Sequence, residues 1–308
     1  MIEFRPRSIL GARVAAVSLL FTFSLVTIVA AQKDDEIISV DSSIVVMNAS
    51  ITDAAGKAVT GLDRRLFRVF EDGVEQQIST FESEETPFAA VILIDTSGSM
   101  EERVSLARSA AIVFLDGLRA DDNVAIYNFD SKVQIVQDFS NSRDIRDQAY
   151  DLRSHGTTVL NDAIYSAAEI LSKRTEKRRA IIVLSDGADT ASSKSADKAL
   201  KAALAVNATV YTVDMSSPDD MSAGKRQNQG VLRSFADKTG GRFIETPGGR
   251  ALRDAFGRIV GELGDLYTIS YQPTNTKMDG KWRELRLDVA KPNLTIRTRK
   301  GYNGPKAK

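Results

Sequence analysis

The sequence predicts an α/β fold, namely a doubly wound, mostly parallel sheet with helices on both faces, inserted in a small β-sandwich. Between residues 87 and 266, short apolar runs alternate with segments whose apolar residues recur every three or four positions. The segments on either side, 32–86 and 267–308, show strand and turn signals instead. Because two β segments flank one α/β domain, we expect them to pack together as the sandwich.

Strands of the α/β domain are expected where apolar residues run without interruption, as in a parallel sheet that is buried on both faces. The clearest such runs are 89–94 and 180–184. Helices are expected where apolar residues recur on one face, as in 104–118. The polar stretch 215–230 is expected to be a mobile loop. Further strands are expected at 124–129, 133–136, 209–213 and 242–244, and further helices at 160–171, 196–206, 231–238 and 252–266.

The flanking segments have the signals of short antiparallel strands. Phe67, Val69 and Phe70 lead into Glu71-Asp72-Gly73, which is a hairpin signal, and a polar return strand follows. After the α/β domain, turns at Asp279-Gly280 and Pro292-Asn293 separate strand candidates. These candidates are 267–271, 284–289 and 294–298.

The first 31 residues have the features of an export signal. Arg5, Arg7 and Arg13 precede an apolar stretch that begins at Val14 and ends in small residues at Ala31. We expect cleavage after Ala31 and a secreted, periplasmic or cell-envelope location. The alternative is an uncleaved membrane anchor, because an 18-residue apolar run is at the lower limit for crossing a bilayer.

The composition excludes several classes of site. The chain has 41 Lys and Arg against 41 Asp and Glu, whereas a nucleic-acid-binding protein is expected to be basic, so we expect no nucleic-acid partner. It has no cysteine and one histidine, His155, which excludes thiolate sites and multi-histidine metal sites within one chain. A bound metal is therefore expected to have oxygen ligands, which favours Mg²⁺, with Mn²⁺ or Ca²⁺ as alternatives.

Side chains that carry oxygen follow the two clearest apolar runs. Asp95, Ser97 and Ser99 come directly after the first run, and Asp186 comes after the second. Thr158 stands just before a predicted helix, at the same edge of the sheet. Because ligands gather at the carboxyl ends of parallel strands, we expect these side chains to converge. Two carboxylates and several hydroxyls suit a hard divalent cation such as Mg²⁺.

Such a ligand set favours binding over hydrolysis. Neutral hydroxyl ligands leave the cation able to accept one more anion, which an Asp or Glu of a partner protein would supply. A Ser97–His155–Asp186 nucleophilic triad is disfavoured, because Ser97 does not stand in the G-x-S-x-G turn that exposes a hydrolase nucleophile.

The order of these motifs resembles the von Willebrand factor type A (VWA) domain and its metal-ion-dependent adhesion site. DxSxS follows a buried strand, a GxT-type loop precedes a helix, and a later strand ends in SDG. The resemblance covers residues 87–266 and implies a Rossmann-like fold. It also implies a metal site, whose ligands here would be Asp95, Ser97, Ser99, Thr158 and Asp186.

The resemblance leaves one ligand open and extends to the flanks. The family often has two glycines before the threonine, and Thr157 occupies the second of these places, so Thr157 is the alternative to Thr158. The Phe-x-Val-Phe-Glu-Asp-Gly segment and the Arg-Lys-Gly-Tyr segment near the C-terminus are similar to those of exported bacterial VWA-related proteins.

Taken together, the motifs predict an exported protein-binding or adhesion module that is not an enzyme. Its divalent cation would coordinate an acidic residue of a partner protein, and a membrane would be involved only if the N-terminal segment is not cleaved. Two alternatives stay open. One is a metal-dependent hydrolase of phosphate or acyl substrates, and the other is a structural envelope module that the metal stabilises.

Overall fold

The structure is a computed structural model that describes residues 44–83, 86–144, 152, 156–217, 219, 221–245 and 249–307. The predicted export signal, residues 1–31, lies outside the described residues. In chain order the strands are β1 (Val45–Thr52), β2 (Phe67–Glu71), β3 (Val74–Gln76), β4 (Ile78–Glu82), β5 (Phe88–Asp95), β6 (Asn123–Phe129), β7 (Val133–Ser140), β8 (Arg178–Ser185), β9 (Ala208–Asp214), β10 (Phe243–Glu245), β11 (Tyr267–Tyr271), β12 (Trp282–Val289), β13 (Thr295–Thr298) and β14 (Gly301–Asn303). The α-helices are α1 (Val104–Asp116), α2 (Leu160–Ser172), α3 (Ala196–Ala205), α4 (Ala223–Thr239) and α5 (Gly249–Gly264). In the part of the chain that the structure describes, each helix is too short or too polar to cross a bilayer.

The central sheet has six strands in the order β10-β9-β8-β5-β6-β7. The pairs β10–β9, β9–β8, β8–β5 and β5–β6 are parallel, and β7 is an antiparallel edge strand. All eight residues of β5 are buried, because the helices cover both faces of the sheet. Ala90, Ile92 and Ile94 pack towards α1 and α5, and the alternate residues pack towards α2, α3 and α4. The predicted fold class is confirmed.

Two four-stranded antiparallel sheets form the sandwich, with strand orders β13-β1-β11-β4 and β14-β12-β2-β3. Each sheet combines strands from before and after the α/β domain. Met47 in β1 pairs with Ile269 in β11, and Val69 in β2 pairs with Leu287 in β12. All four side chains belong to one apolar core between the two sheets. The α/β domain is therefore an insertion in a sandwich that neither flank could build alone.

A buried polar cluster joins the two flanking motifs that the sequence singles out. Glu71 ends β2, and its Oε2 accepts hydrogen bonds from the hydroxyls of Tyr271 (2.6 Å) and Tyr302 (2.8 Å). Its Oε1 lies 3.4 Å from Nη1 of Arg283, and both side chains are about 98% buried. Burial and the neighbouring Glu71 carboxylate raise the pKa of Tyr302 to about 12, so that its hydroxyl remains a donor at neutral pH.

Arg178, the first residue of β8, holds the junction between the sandwich and the α/β domain. Its guanidinium is fully buried and donates to the carbonyls of Gly264 (2.7 Å) and Leu266 and to the hydroxyl of Thr268 (3.2 Å). It also donates to the carbonyl of Thr86 in the other connection (3.3 Å). Burial lowers its pKa to about 10, which leaves it charged at neutral pH. One side chain thus binds both connections.

The position of Arg178 in the sequence does not indicate this role. It belongs to a basic cluster, Lys173 to Arg179, which follows α2 and would by position alone complement the C-terminus of that helix. Arg178 instead binds the carbonyls at the C-terminus of α5. The reason is that α5 ends beside the first residue of β8, a tertiary contact that no local pattern encodes.

The prediction of a loop over residues 215–230 was wrong in part, because α4 begins at Ala223. The Ser222 hydroxyl accepts a hydrogen bond from the amide of Lys225 (3.1 Å), which is an N-cap. The ammonium of Lys225 donates to the carbonyl of Ser217 (2.7 Å). These polar contacts stabilise the first turns of the helix, where no residue is buried.

Gly301→Ala is expected to destabilise the protein by about 2–4 kcal/mol. A Cβ at this position would overlap the carbonyl oxygen of Arg283 and the ring of Trp282, because β14 lies directly against β12. Urea unfolding measures the change.

Gly261→Ala is the matched control. Gly261 lies inside α5, where a Cβ would meet no atom within 4 Å, and alanine should stabilise the helix by about 0.5–1 kcal/mol. Equal effects of the two substitutions would contradict the close approach of β14 to β12.

Candidate functional site

Asp95 is the centre of the candidate site. It is the last residue of β5, and its side chain is fully buried. Its Oδ1 accepts a hydrogen bond from the amide of Ser97 (2.9 Å), and its Oδ2 accepts one from the hydroxyl of Ser185 (2.5 Å). The hydroxyls of Ser97 and Ser99 lie 3.2 Å apart at the start of a short 3-10 turn. The DxSxS segment therefore gathers three oxygen-bearing side chains in one turn.

The second piece of the site is the turn that follows β8. Because β5 and β8 are adjacent parallel strands, Ser185 at the end of β8 reaches Asp95 at the end of β5. The amide of Gly187 donates to the same Ser185 hydroxyl (3.0 Å), and Gly187 has a φ of +81°, which favours glycine. Asp186 is half-buried between them, and its Oδ1 accepts from the amide of Ala188 (3.0 Å).

The third piece is the loop before α2. The carbonyl of Gly156 accepts a hydrogen bond from the amide of Gly98 (3.4 Å), which brings this loop against the DxSxS turn. Thr158 is buried and Thr157 is exposed. The amide of Thr158 donates to the hydroxyl of Thr190 (2.9 Å), so that the loop after β8 also holds this segment. His155 lies outside the described residues.

The same loop caps α2. Oδ2 of Asp189 accepts from the amide of Asn161 (2.8 Å), and the hydroxyl of Ser192 accepts from the amide of Asp162 (3.1 Å). These contacts satisfy amides at the first turn of the helix, which its own N-cap residue, Val159, does not. The loops that carry the predicted site residues are thus bonded to one another.

Burial dominates the electrostatics of Asp95. Desolvation raises the pKa of its carboxyl from 3.8 to about 6, and the nearby charge of Asp186 acts in the same direction. Hydrogen bonds from Ser185 and Ser97 oppose this shift. The carboxylate is ionised at neutral pH at a cost in free energy, and a cation beside it would remove that cost.

The donor set suits a cation that accepts hydroxyls and water. The described residues contain no group of three or more Asp, Glu, His or Cys side chains arranged to hold a metal. A cation at this edge would therefore rest on Asp95 and Asp186, together with hydroxyls and waters. Mg²⁺ has this preference, because it keeps several waters and needs only one or two carboxylates.

Two residues at this edge have roles that the sequence analysis did not assign. Ser185 stands in the SDG segment, but nothing in the sequence shows that its hydroxyl donates to Asp95. Asp214 ends β9, pairs in register with Ser185 and is 3% exposed. The sequence pattern could have identified both residues, since each is a polar residue at the carboxyl end of a predicted buried strand.

Residues 90–188 match the family model of the von Willebrand factor type A domain. The matched part of the α/β domain is similar to a VWA domain, and the fold is VWA-like. The match spans about a third of the chain and includes Asp95, Ser97, Ser99, Thr158 and Asp186. It agrees with the resemblance that the motifs show in the sequence.

A solved structure supports the fold over more of the chain. A von Willebrand factor type A protein from Catenulispora acidiphila has a TM-score of 0.50 at 13% identity, covering 83% of this chain and 73% of that one. The VWA domain of the pilus tip protein Mfa5 from Porphyromonas gingivalis has a TM-score of 0.48 at 13% identity, covering 57% and 95%. At 13% identity the likeness to the Catenulispora acidiphila protein concerns the fold alone.

A curated relative is an uncharacterized protein from Synechocystis sp., which is 27% identical over 168 residues. The aligned region covers 52% of this chain and 38% of that protein, so the chain spans about two fifths of the length of this relative.

Asp95→Asn tests the electrostatic cost of the buried carboxylate in protein kept metal-free with EDTA. The pKa of about 6 in the folded state lies above the ordinary 3.8, so folding takes up protons between these values. The free energy of unfolding of the wild type should therefore fall as the pH rises from about 4 to about 6. Relative to D95N, which does not titrate, the fall should reach up to about 3 kcal/mol.

Urea unfolding of both proteins across this pH range makes the comparison. The asparagine keeps the shape of the side chain and an oxygen for the amide of Ser97, so that the charge is the main change. Parallel pH profiles for the two proteins would show that Asp95 is not electrostatically strained.

Proposed function

We propose that this protein is an exported binding module whose VWA-like domain holds a divalent cation, Mg²⁺ in the first instance, that coordinates an Asp or Glu of a partner protein. The observation that carries the proposal is the convergence of two separated segments on Asp95. The hydroxyl of Ser185 lies 2.5 Å from its Oδ2, while Ser97 and Ser99 lie in the turn on its other side.

The proposed ligands have distinct roles. The hydroxyls of Ser97, Ser99 and Thr158 would be neutral ligands. Asp95 and Asp186 would supply negative charge, either directly or through coordinated waters that they orient. A cation held this way keeps positions for water, and a carboxylate of the partner can replace one of these waters. Metal–carboxylate coordination then gives the contact its strength and direction.

The site offers little for hydrolysis. Ser97 lies in the DxSxS turn rather than in a nucleophile elbow, and its hydroxyl is 3.2 Å from that of Ser99. The hydroxyl of Ser185 is bonded to a buried carboxylate that it stabilises. Residues held in this way would orient a cation, which supports a binding protein rather than an enzyme.

Calorimetric titration with MgCl₂ tests the metal site. The wild type should bind one Mg²⁺ per chain, and Asp95→Ala and Asp186→Ala should each reduce the affinity by at least about tenfold, as expected for losing a carboxylate at a metal site. Asp237→Ala, which removes an exposed carboxylate on α4, is the matched control and should bind like the wild type. Equal binding by all four proteins would remove Asp95 and Asp186 from the site.

Thr158→Ala and Thr157→Ala distinguish the two candidate threonines. We expect T158A to weaken Mg²⁺ binding, because the loss of one neutral ligand should reduce the affinity about as much as the loss of one hydrogen bond. T157A should leave the affinity within about twofold of the wild type. Thr158 is the buried residue of the pair, in the segment tied to Thr190. The reverse result would assign the ligand to Thr157.

Capture of a partner protein distinguishes the proposed binding function from the two alternatives, a structural module and a hydrolase. Immobilised protein should retain a partner from cell-envelope extract in Mg²⁺ and release it in EDTA, and Asp95→Ala should retain none. A metal that only stabilises the fold would lower the midpoint of thermal unfolding in EDTA without changing the retained proteins. Turnover of phosphoester or ester substrates that Asp186→Ala abolishes would support the hydrolase instead.

A further inference from the structure

Helix α4 packs directly on the turn that carries Asp186. A Cβ on Gly187 would come within 2.7 Å of the carbonyl oxygen of Asn228 and within 2.9 Å of the side chain of Leu232. The contact is between backbones, so a small movement of α4 would move the turn. The amide of Gly187 in turn donates to the hydroxyl of Ser185, which donates to Asp95. A change in the position of α4 would therefore affect both Asp95 and Asp186.

The turns of α4 before Leu232, which include Asn228, have little apolar packing, whereas Leu232 itself is buried in the core. These turns contain Gly224 and Gly230, which disfavour helix. A Cβ on Gly230 would meet nothing within 4 Å, which shows that this side of the helix is open. Polar contacts therefore determine where these turns lie.

Gln229 makes a polar contact between these turns and the sheet edge that carries the site. Its Nε2 donates to Oδ2 of Asp214 (2.7 Å) and to Oε1 of Glu245 (3.1 Å), so that both amide protons are used. Asp214 is buried at the end of β9 and lies beside Ser185 in register. Gln229 thus connects α4 to the same sheet edge that carries the candidate site, next to the residue that packs on Gly187.

We infer that Gln229 is a positioning residue for the metal site: by binding Asp214 it holds α4 against Gly187 and so fixes the Ser185–Asp186–Gly187 turn on Asp95. This inference rests on the proposed function, since its effect is measured as a change in Mg²⁺ affinity. Gln229 itself touches neither the cation nor the partner.

Gln229→Met, which keeps the length of the side chain and removes its amide, is the test variant. Mg²⁺ affinity measured by calorimetry should fall by about fivefold or more, the effect expected for losing a part-buried hydrogen bond to a carboxylate. Gln227→Met is the matched control, because Gln227 is exposed on the same helix, and it should stay within about twofold of the wild type. Equal affinities of Q229M and Q227M would overturn the inference.

Further measurements separate positioning from loss of stability. In EDTA, the amide of Gly187 should exchange about tenfold faster in Q229M, because local opening becomes easier. Gly301→Ala, which is expected to lower global stability in the sandwich, away from Gln229, should keep the Mg²⁺ affinity of the wild type. The triple variant D214N/Q229E/E245Q reverses the amide and carboxylate of the pair, avoids a repulsive contact between the new carboxylate at position 229 and Glu245, and should restore Mg²⁺ affinity. A loss of affinity that follows global stability, or that the reversed pair does not restore, would also overturn the inference.

Mg²⁺ binding by the wild type distinguishes a failure of the Gln229 inference from a failure of the proposed function. If the wild type binds no Mg²⁺, the proposed function is wrong and the inference is overturned with it. If the wild type binds Mg²⁺ and Q229M binds it equally well, the proposed function stands and only the role of Gln229 is wrong.

Discussion

The structure depends on the burial of β5 between two layers of helices. All eight residues of this strand are buried, and its last residue is a carboxylate rather than an apolar side chain. Because its neighbour β8 runs parallel to it, the segments at the ends of both strands meet at the same edge and bind that carboxylate. The raised pKa of Asp95 is the direct result, and the DxSxS turn, the Ser185 hydroxyl and the proposed cation all compensate for the same buried charge.

Charge is also buried at the other end of the domain, where the α/β insertion meets the sandwich. Arg178 binds carbonyls in both connections. Main-chain dipoles at the C-terminus of α5 stabilise its charge. In the sandwich, Glu71 and Arg283 are paired and receive hydroxyls from both flanks. Each buried charge therefore joins segments that are distant in the chain.

Local patterns were enough to predict the fold class and the segments that meet at the site. The apolar runs before Asp95 and Asp186 predict adjacent buried strands, and the side chains that follow such strands meet at one edge. The same patterns do not predict the structure where a contact between segments distant in the chain determines it. The sequence gives no sign that Arg178 would reach the end of α5, or that Gln229 would bind Asp214 and so extend α4 through a polar stretch. The sequence predicts a loop over residues 215–230 because that stretch has few apolar residues, and composition carries no information about specific hydrogen bonds.

The two connections to the sandwich lie at the opposite end of β5 from Asp95. An eight-residue strand spans about 26 Å, so a partner held at the candidate site would pull on the domain from the far side of its sheet. Tension between partner and sandwich would run along the strands. The hydrogen bonds that join β5 to β6 and β8 lie across that direction, and they would share the load rather than break one after another. Such an arrangement would resist force that is applied between the candidate site and the sandwich.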